Sequence, residues 1–178
     1  MPYNILSPTA RSEDIELLHP SVRKAVRSTL KELKTRGINI FVFEAFRSSV
    51  RQNFLYAKGR TTAGPIVTYA RAWQSYHQYG VAVDLVFGGP GKWSWGEPKK
   101  GAWKKVHEIG RSHGLTPLEF ETPHLQLAGT SSNALAHGHY PAGGDDVWSE
   151  ALAASISAWN GKPDAPPSPP IFDKPPIA

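Results

Sequence analysis

The sequence predicts an α+β fold, a small and mainly antiparallel sheet with helices packed on one side of it. Amphipathic segments with cap residues at their starts or glycines at their ends recur at about 21–36, 100–113 and 145–160. Between them lie short runs of β-branched and aromatic residues, INIFVFEAF at 38–46 and VAVDLVF from Val81 to Phe87, bounded by glycines. The stretch LTPLEFETPHLQLAG adds two short strands around a turn.

At 178 residues the chain is long enough for one domain with a real core and a tail. The expected division is a domain over 1–160 and a Pro-rich tail or linker over 161–178. No run approaches the ~20 apolar residues of a membrane span. The start, MPYNILSPTARSEDIE, has no basic region followed by an apolar stretch, so no signal peptide is expected. There are no cysteines, which removes disulfides, thiolate metal sites and a Cys nucleophile. Any metal must be held by His, Asp or Glu. The net charge of +5 admits either a plain solvated surface or attraction to a polyanion. No glycine-rich phosphate loop or nucleic-acid motif is present, so nucleic acid is not an expected partner.

Residues 1–19 read as irregular, with prolines at 2, 8 and 20. Ser21 can cap a helix running to about Arg36 and ended by Gly37, with Val22, Ala25, Val26, Leu30 and Leu33 as its apolar stripe. After the strand at 38–46, Ser48 and Ser49 can cap a helix from Val50 to about Lys58. Arg47 thus stands at a strand-to-helix junction, a place suited to a ligand-facing side chain and equally to a salt-bridged one. Residues 59–74 read as a loop, and so does GGPGKWSWGEPKK, whose Trp93 and Trp95 can pave a groove or pack locally. His107 and His113 are six apart on a helix and share no face, so both read as structural. SSNALAHGHYPAGG reads as a loop, and its His137 and His139 have no carboxylate nearby in sequence. Asp145 and Asp146 stand at the positive end of the last helix.

The chemistry centres on SYHQYGVAVDLVF, residues 75–87. Asp84 is a carboxylate inside an apolar strand, and burying it is costly unless its charge is compensated. A metal shared with His77, or an Arg, would compensate it. Downstream, Glu121 and His124 are three apart and would point to opposite faces of a flat strand. Pro123 is expected to break that strand, and a bend there would turn both side chains to one point. His77, Asp84 and His124 supply two imidazoles and one carboxylate and leave a fourth position for water, as in catalytic zinc sites. Glu121 is the candidate base.

Ser75-x-His77-x-x-Gly80-x-Ala82-x-Asp84, followed by Glu121-x-x-His124, resembles the zinc D-alanyl-D-alanine carboxypeptidase and L-alanyl-D-glutamate endopeptidase family of bacterial and phage cell-wall peptidases. FRSSVRQNFLYAKGRT at 46–61 resembles that family's Arg-after-strand segment, and Pro123-His124-Leu125-Gln126-Leu127 its Pro-His-aromatic-Gln strand, with Leu125 in the aromatic's place. The resemblance covers roughly residues 15–128. It implies a hedgehog/DD-peptidase-like sheet carrying zinc (Zn2+) on His77, Asp84 and His124. Glu121 would be general base and acid, where many relatives have Asp, and Arg47 would steady the oxyanion. Imidazole and carboxylate accept other divalent ions, so zinc rests on the resemblance.

The Leu-Tyr-x-x-Gly-Arg-Thr run is closer to the endopeptidase branch, which includes phage endolysins that cut L-alanyl-D-glutamate in the peptidoglycan stem peptide. D-alanyl-D-alanine carboxypeptidase is the alternative, and Arg60 or Arg71 would then hold the free carboxylate. A wall-binding module without turnover is a third reading, against which the filled base and Arg47 positions argue. A monomer is expected. The missing export signal fits a product made in the cytoplasm and acting on the wall, such as a phage lysin released by a holin, and loss of an upstream segment would explain it equally well.

Overall fold

The computed structural model of the chain describes residues 8–170. The irregular start over 1–7 and the end of the Pro-rich tail over 171–178 lie outside the described residues. Five strands form one sheet: β1 (Ile40–Glu44), β2 (Ala82–Gly89), β3 (Lys92–Ser94), β4 (Leu115–Leu118) and β5 (Glu121–Leu127). The helices are α1 (Pro20–Thr35), α2 (Ser49–Ala57), α3 (Ala102–Ser112), α4 (Ser132–Ala136) and α5 (Asp146–Ser157). The strand order is β1-β2-β5-β4, with β3 paired to β2, and every pairing is antiparallel. The α+β expectation holds.

The central strand β2 divides its side chains by the two-residue period of a strand. Val83, Leu85 and Phe87 enter the main core together with Val22, Val26 and Leu33 of α1 and Val106 and Ile109 of α3. Asp84 points the other way. On β5, Leu125 belongs to the same core, so His124 and Gln126 share the face of Asp84. Helices α1 and α3 pack on each other and on the sheet, and so set which face is left for chemistry.

Two irregularities of register shape that face. Ile40, Phe41 and Val42 pair with Phe87, Val86 and Leu85, and then Glu44 pairs with Asp84. Phe43 is thus an extra residue, a bulge that brings Glu44 beside Asp84. On β5 the pairing with β4 jumps from Pro117↔Leu125 to Leu118↔Glu121. Residues 122–124 have no partner on β4.

Pro123 therefore does not break the strand, contrary to expectation. It sits where β4 asks for no ladder hydrogen bond, which its missing N–H could not supply. The offset does bring Glu121 and His124 together. Helix α1 begins two residues before the expected start, at Pro20 and not after a Ser21 cap. Pro20 is well suited to the first helical position, and the cap is His19, whose Nδ1 accepts from the Ser21 amide at 3.3 Å. Strand β1 ends at Glu44 because the next amides leave the sheet: Ala45 donates to Ser12 O and Arg47 to His77 O. Two elements were unexpected, β3 in the Gly- and Trp-rich loop and the short α4 capped by Ser131. β3 depends on Gly88, whose φ is +106° and where a Cβ would lie 2.3 Å from Lys92 O.

Beyond α5 the chain has no helix or strand up to 170 but lies along the body. Trp159 Nε1 donates to Pro163 O at 2.8 Å, and the Tyr140 hydroxyl donates to Pro167 O.

Gly80 ends the turn that carries His77, with φ +67°, and a Cβ there would stand 2.9 Å from Trp148 Cδ1. Trp148 cannot retreat easily, because its buried Nε1 donates to Tyr79 O at 2.9 Å. Gly80→Ala is expected to lose about 2–4 kcal/mol, from left-handed backbone plus overpacking. The check is a lower urea midpoint at unchanged slope. A midpoint equal to the wild type would refute this account of the glycine.

Candidate metal centre

The turn Tyr76–Tyr79 holds His77 in the interior. Gln78 fixes the turn, its Oε1 accepting from the amides of Trp73 at 2.7 Å and Ser75 at 3.4 Å. His77 Nδ1 lies 2.8 Å from Ala45 O. A carbonyl only accepts, so Nδ1 carries the proton and Nε2 presents its lone pair. That Nε2 is 3.1 Å from Asp84 Oδ1. His124 is set by Gln126, whose Oε1 is 3.0 Å from Nε2, so Nε2 donates and Nδ1 has the lone pair. His124 Nδ1 is 3.3 Å from Asp84 Oδ1, yet it is buried without a hydrogen-bond partner.

Three acceptors thus face one point with no donor among them, and their ligand atoms lie within 4.8 Å of one another. Lone pairs packed this closely repel unless a cation stands between them. Ligands about 2.1 Å from a tetrahedral ion are about 3.4 Å apart, and the observed separations of 3.1 and 3.3 Å match that. The donor set, the orphaned Nδ1 and the outer partners Ala45 and Gln126 all fit a divalent cation. Burial would push the Asp84 carboxyl up. When the imidazoles carry protons in place of a cation, the charge on His77 and the bonds from both rings outweigh burial and hold it well below the ordinary 3.8.

Beside this cluster lies a buried charge network. Arg47 Nη2 donates to Glu44 Oε2 at 2.7 Å and stands 3.4 Å from Asp84 Oδ2, while Nη1 donates to Gln52 Oε1 at 3.0 Å. Arg51 also pairs with Glu44 through Nε, and its Nη1 donates to Thr9 O at 2.7 Å. Gln52 Nε2 donates to Ala70 O at 2.7 Å, which ties Arg47 to the loop before the His77 turn. Burial raises the Glu44 carboxyl, but the two guanidiniums more than reverse this and leave it below its ordinary 4.5.

Of the residues singled out in the sequence, His77, Asp84, His124, Glu121 and Arg47 all border one cleft of about 950 Å3. Glu121 has 47% of its side chain exposed, with Oε2 3.7 Å from His124 Nδ1. Both readings of the tryptophans hold in part: Trp95 lines the cleft, and Trp93 and Trp95 pack against Phe43. Arg60 and Arg71 lie outside the cleft lining, gathered around Tyr56. His113 bonds Glu32 and His107 bonds Thr122 O, as befits structural histidines. Sequence reasoning missed Glu44, Arg51 and Phe120. Glu44 carried a readable signal, a carboxylate in the apolar run IFVFE three residues before Arg47.

A family model for VanY, D-alanyl-D-alanine carboxypeptidase, matches residues 15–122. The chain belongs to the VanY family. The matched segment holds His77, Asp84 and Glu121 and stops two residues before His124. Over 105 residues the chain is 36% identical to the peptidoglycan L-alanyl-D-glutamate endopeptidase CwlK of Bacillus subtilis, a match to 55% of this chain and 63% of that relative. The match therefore spans less than two thirds of that relative's length. Among solved structures, the L,D-carboxypeptidase DacB from Streptococcus pneumonia is similar with TM-score 0.50 and 22% identity, over 66% of this chain and 70% of that one. The L-Ala D-Glu endopeptidase ChiX of Serratia marcescens has TM-score 0.46 and 23% identity, over 67% of this chain and 88% of the other. At these identities the likeness to DacB speaks to the fold, which for this VanY member is the expected α+β sheet.

Calorimetric titration is expected to give one divalent ion per chain, with no binding by Asp84→Ala. Gln126→Leu, which removes only the partner of His124 Nε2, should weaken binding about 10–100-fold. Undiminished affinity in Asp84→Ala would rule the centre out.

Glu44→Gln leaves two buried guanidiniums short of a carboxylate and should cost about 3–5 kcal/mol. The folded pKa of Glu44 is depressed, so its contribution is complete above the unfolded value and fades as pH falls through the folded one. The stability gap between wild type and variant should therefore narrow as denaturation is repeated from pH 7 down through the acid range. A gap independent of pH would contradict it.

Proposed function

We propose that this VanY member is a zinc-dependent peptidase that hydrolyses the L-alanyl-D-glutamate bond of the peptidoglycan stem peptide. The observation that carries the reading is the convergence of His77 Nε2, Asp84 Oδ1 and His124 Nδ1, with Glu121 on the open side of the cluster. A divalent ion held there would supply Lewis acidity and a nucleophile at neutral pH. Glu121 is half in solvent, so its carboxylate can accept a proton from the attacking water at Oε2 and return it to the leaving amine. Arg47 provides fixed positive charge at the cleft floor, where negative charge develops on the scissile carbonyl oxygen. Glu44 and Gln52 hold that guanidinium still, so no reorganisation is needed as the charge appears.

The identity to CwlK favours the endopeptidase over the carboxypeptidase in the family's description. The cleft adds a physical reason. An exopeptidase needs a cation for the free carboxylate of its substrate. Among the described residues lining the cleft, the guanidiniums are those of Arg47, which the proposed reaction uses at the oxyanion, and Arg51, which Glu44 engages.

Mass spectrometry of peptidoglycan digested by the wild type should show fragments with new N-terminal D-glutamate. Glu121→Gln should retain the metal and lose about 10^2–10^4 in kcat. Loss of only a terminal D-alanine would move the assignment to the carboxypeptidase. An intact wall with metal bound would remove the peptidase reading.

A further inference from the structure

Large apolar side chains stand exposed in and beside the cleft. Trp93 and Trp95, on and just after β3, are 44% and 43% exposed. Phe120, on the β4–β5 turn beside Glu121, is 81% exposed. Trp95, Phe43 and Phe120 all line the cleft that holds the metal cluster. Exposed aromatics gathered at one site mark a binding surface rather than scattered surface residues.

The tryptophan rim is also rigid. Phe43, the bulged residue of β1, meets Trp95 at 4.6 Å and Trp93 at 5.1 Å between ring centroids, both edge-on, and the Arg11 guanidinium lies 3.8 Å over its ring. The two indoles meet each other at 5.4 Å. Trp103 of α3 donates through Nε1 to Trp95 O at 3.1 Å, which fastens the loop backbone to the body. The indoles are therefore presented to solvent in a fixed arrangement, with little order left to impose on binding.

The chemistry of the proposed substrate says what would meet them. In peptidoglycan the L-alanine is amide-linked to the lactyl arm of a muramyl sugar. One residue, about 3.5 Å of chain, separates the scissile bond from that amide. A cleft that cuts this bond on the intact polymer must accommodate the sugar at its edge. Pyranose rings offer an apolar C–H face, and an indole face carries the negative side of its quadrupole and attracts it. We propose that Trp95 and Phe120, which both line the cleft, with Phe43 and Trp93 packed against Trp95, form a subsite for the N-acetylated amino sugar of the substrate's own glycan strand. The inference rests on the endopeptidase reading above, because a terminal D-alanine lies too far along the stem to bring the sugar to this rim.

The test compares two substrates, a free stem tetrapeptide and the same peptide carrying the N-acetylglucosaminyl-N-acetylmuramyl disaccharide. The wild type should show kcat/KM at least tenfold higher on the second. In Trp95→Ala that ratio should fall towards one, and Trp95→Tyr should keep most of it. A wild-type ratio of one, or an equal loss by Trp95→Ala on both substrates, overturns the proposal. Independently, the peptide-free disaccharide titrated into wild-type protein should shift the indole N–H resonances of Trp93 and Trp95 but not of buried Trp148. No shift at millimolar sugar also overturns it. If neither peptide is cut while those indoles shift, the sugar subsite stands and the peptidase reading falls. Cleavage of both at equal rates without a shift removes the subsite and leaves the peptidase reading in place.

Discussion

Three lone pairs aimed at one point are the constraint on which the rest of the site depends. His77 Nε2, Asp84 Oδ1 and His124 Nδ1 approach to 3.1 and 3.3 Å with no proton assigned between them. Such an arrangement persists only where the fold holds each group independently. The Ala45 carbonyl and the Gln78-fixed turn hold His77, and Gln126 holds His124. Asp84 is held by register, paired with Glu44 on one side and His124 on the other. A slip of one residue in β2 would send Asp84 into the α1–α3 core and expose Leu85 in its place. The packing of Val83, Leu85 and Phe87 against those helices is thus what fixes the candidate metal centre.

Charge balance explains why Glu44 lies buried next to it. Arg47 and Arg51 enter the same interior from the start of α2. Without a carboxylate between them, their charges would oppose each other and any cation on His77, Asp84 and His124. Glu44 compensates for one guanidinium and links the two. What remains is a positive group that can favour an oxyanion, with its repulsion of a cation on the cluster reduced by Glu44 and Asp84. The bulge at Phe43 serves this arrangement, since it lets β1 set Val42 in the core and Glu44 on the opposite face.

Much of this was legible in the sequence. The strands and helices followed from periodicity and caps, and the grouping of His77, Asp84 and His124 from a carboxylate in an apolar strand with a histidine on either side of it in the chain. The parts that were not legible are those that depend on register. Glu121 and His124 meet through an offset of β4 against β5, which no local pattern encodes, and the break expected at Pro123 was a wrong route to a correct meeting. The partners of Arg47 were hidden for the same reason: Gln52 is one helical turn away in sequence, but the position of Glu44 depends on an extra residue in β1. His19 as a cap and the strap over Trp159 and Tyr140 are tertiary outcomes with no sequence signature of their own.

The bulge that aligns Glu44 has a second effect. Phe43 is expelled from the ladder and becomes the ring on which Trp93 and Trp95 are seated. One irregularity in β1 therefore sets both the electrostatics of the cleft floor and the aromatic rim above it. The two are coupled mechanically, because a change that restores regular pairing of β1 with β2 would move the carboxylate and the platform together. A rim built this way suits a substrate that is a polymer, where the bond to be cut is a small part of what must be held. Under the proposed function, the exposed faces of Trp95 and Phe120 offer contact area away from the reacting atoms, and binding there would hold the peptide in place for the cluster and Glu121.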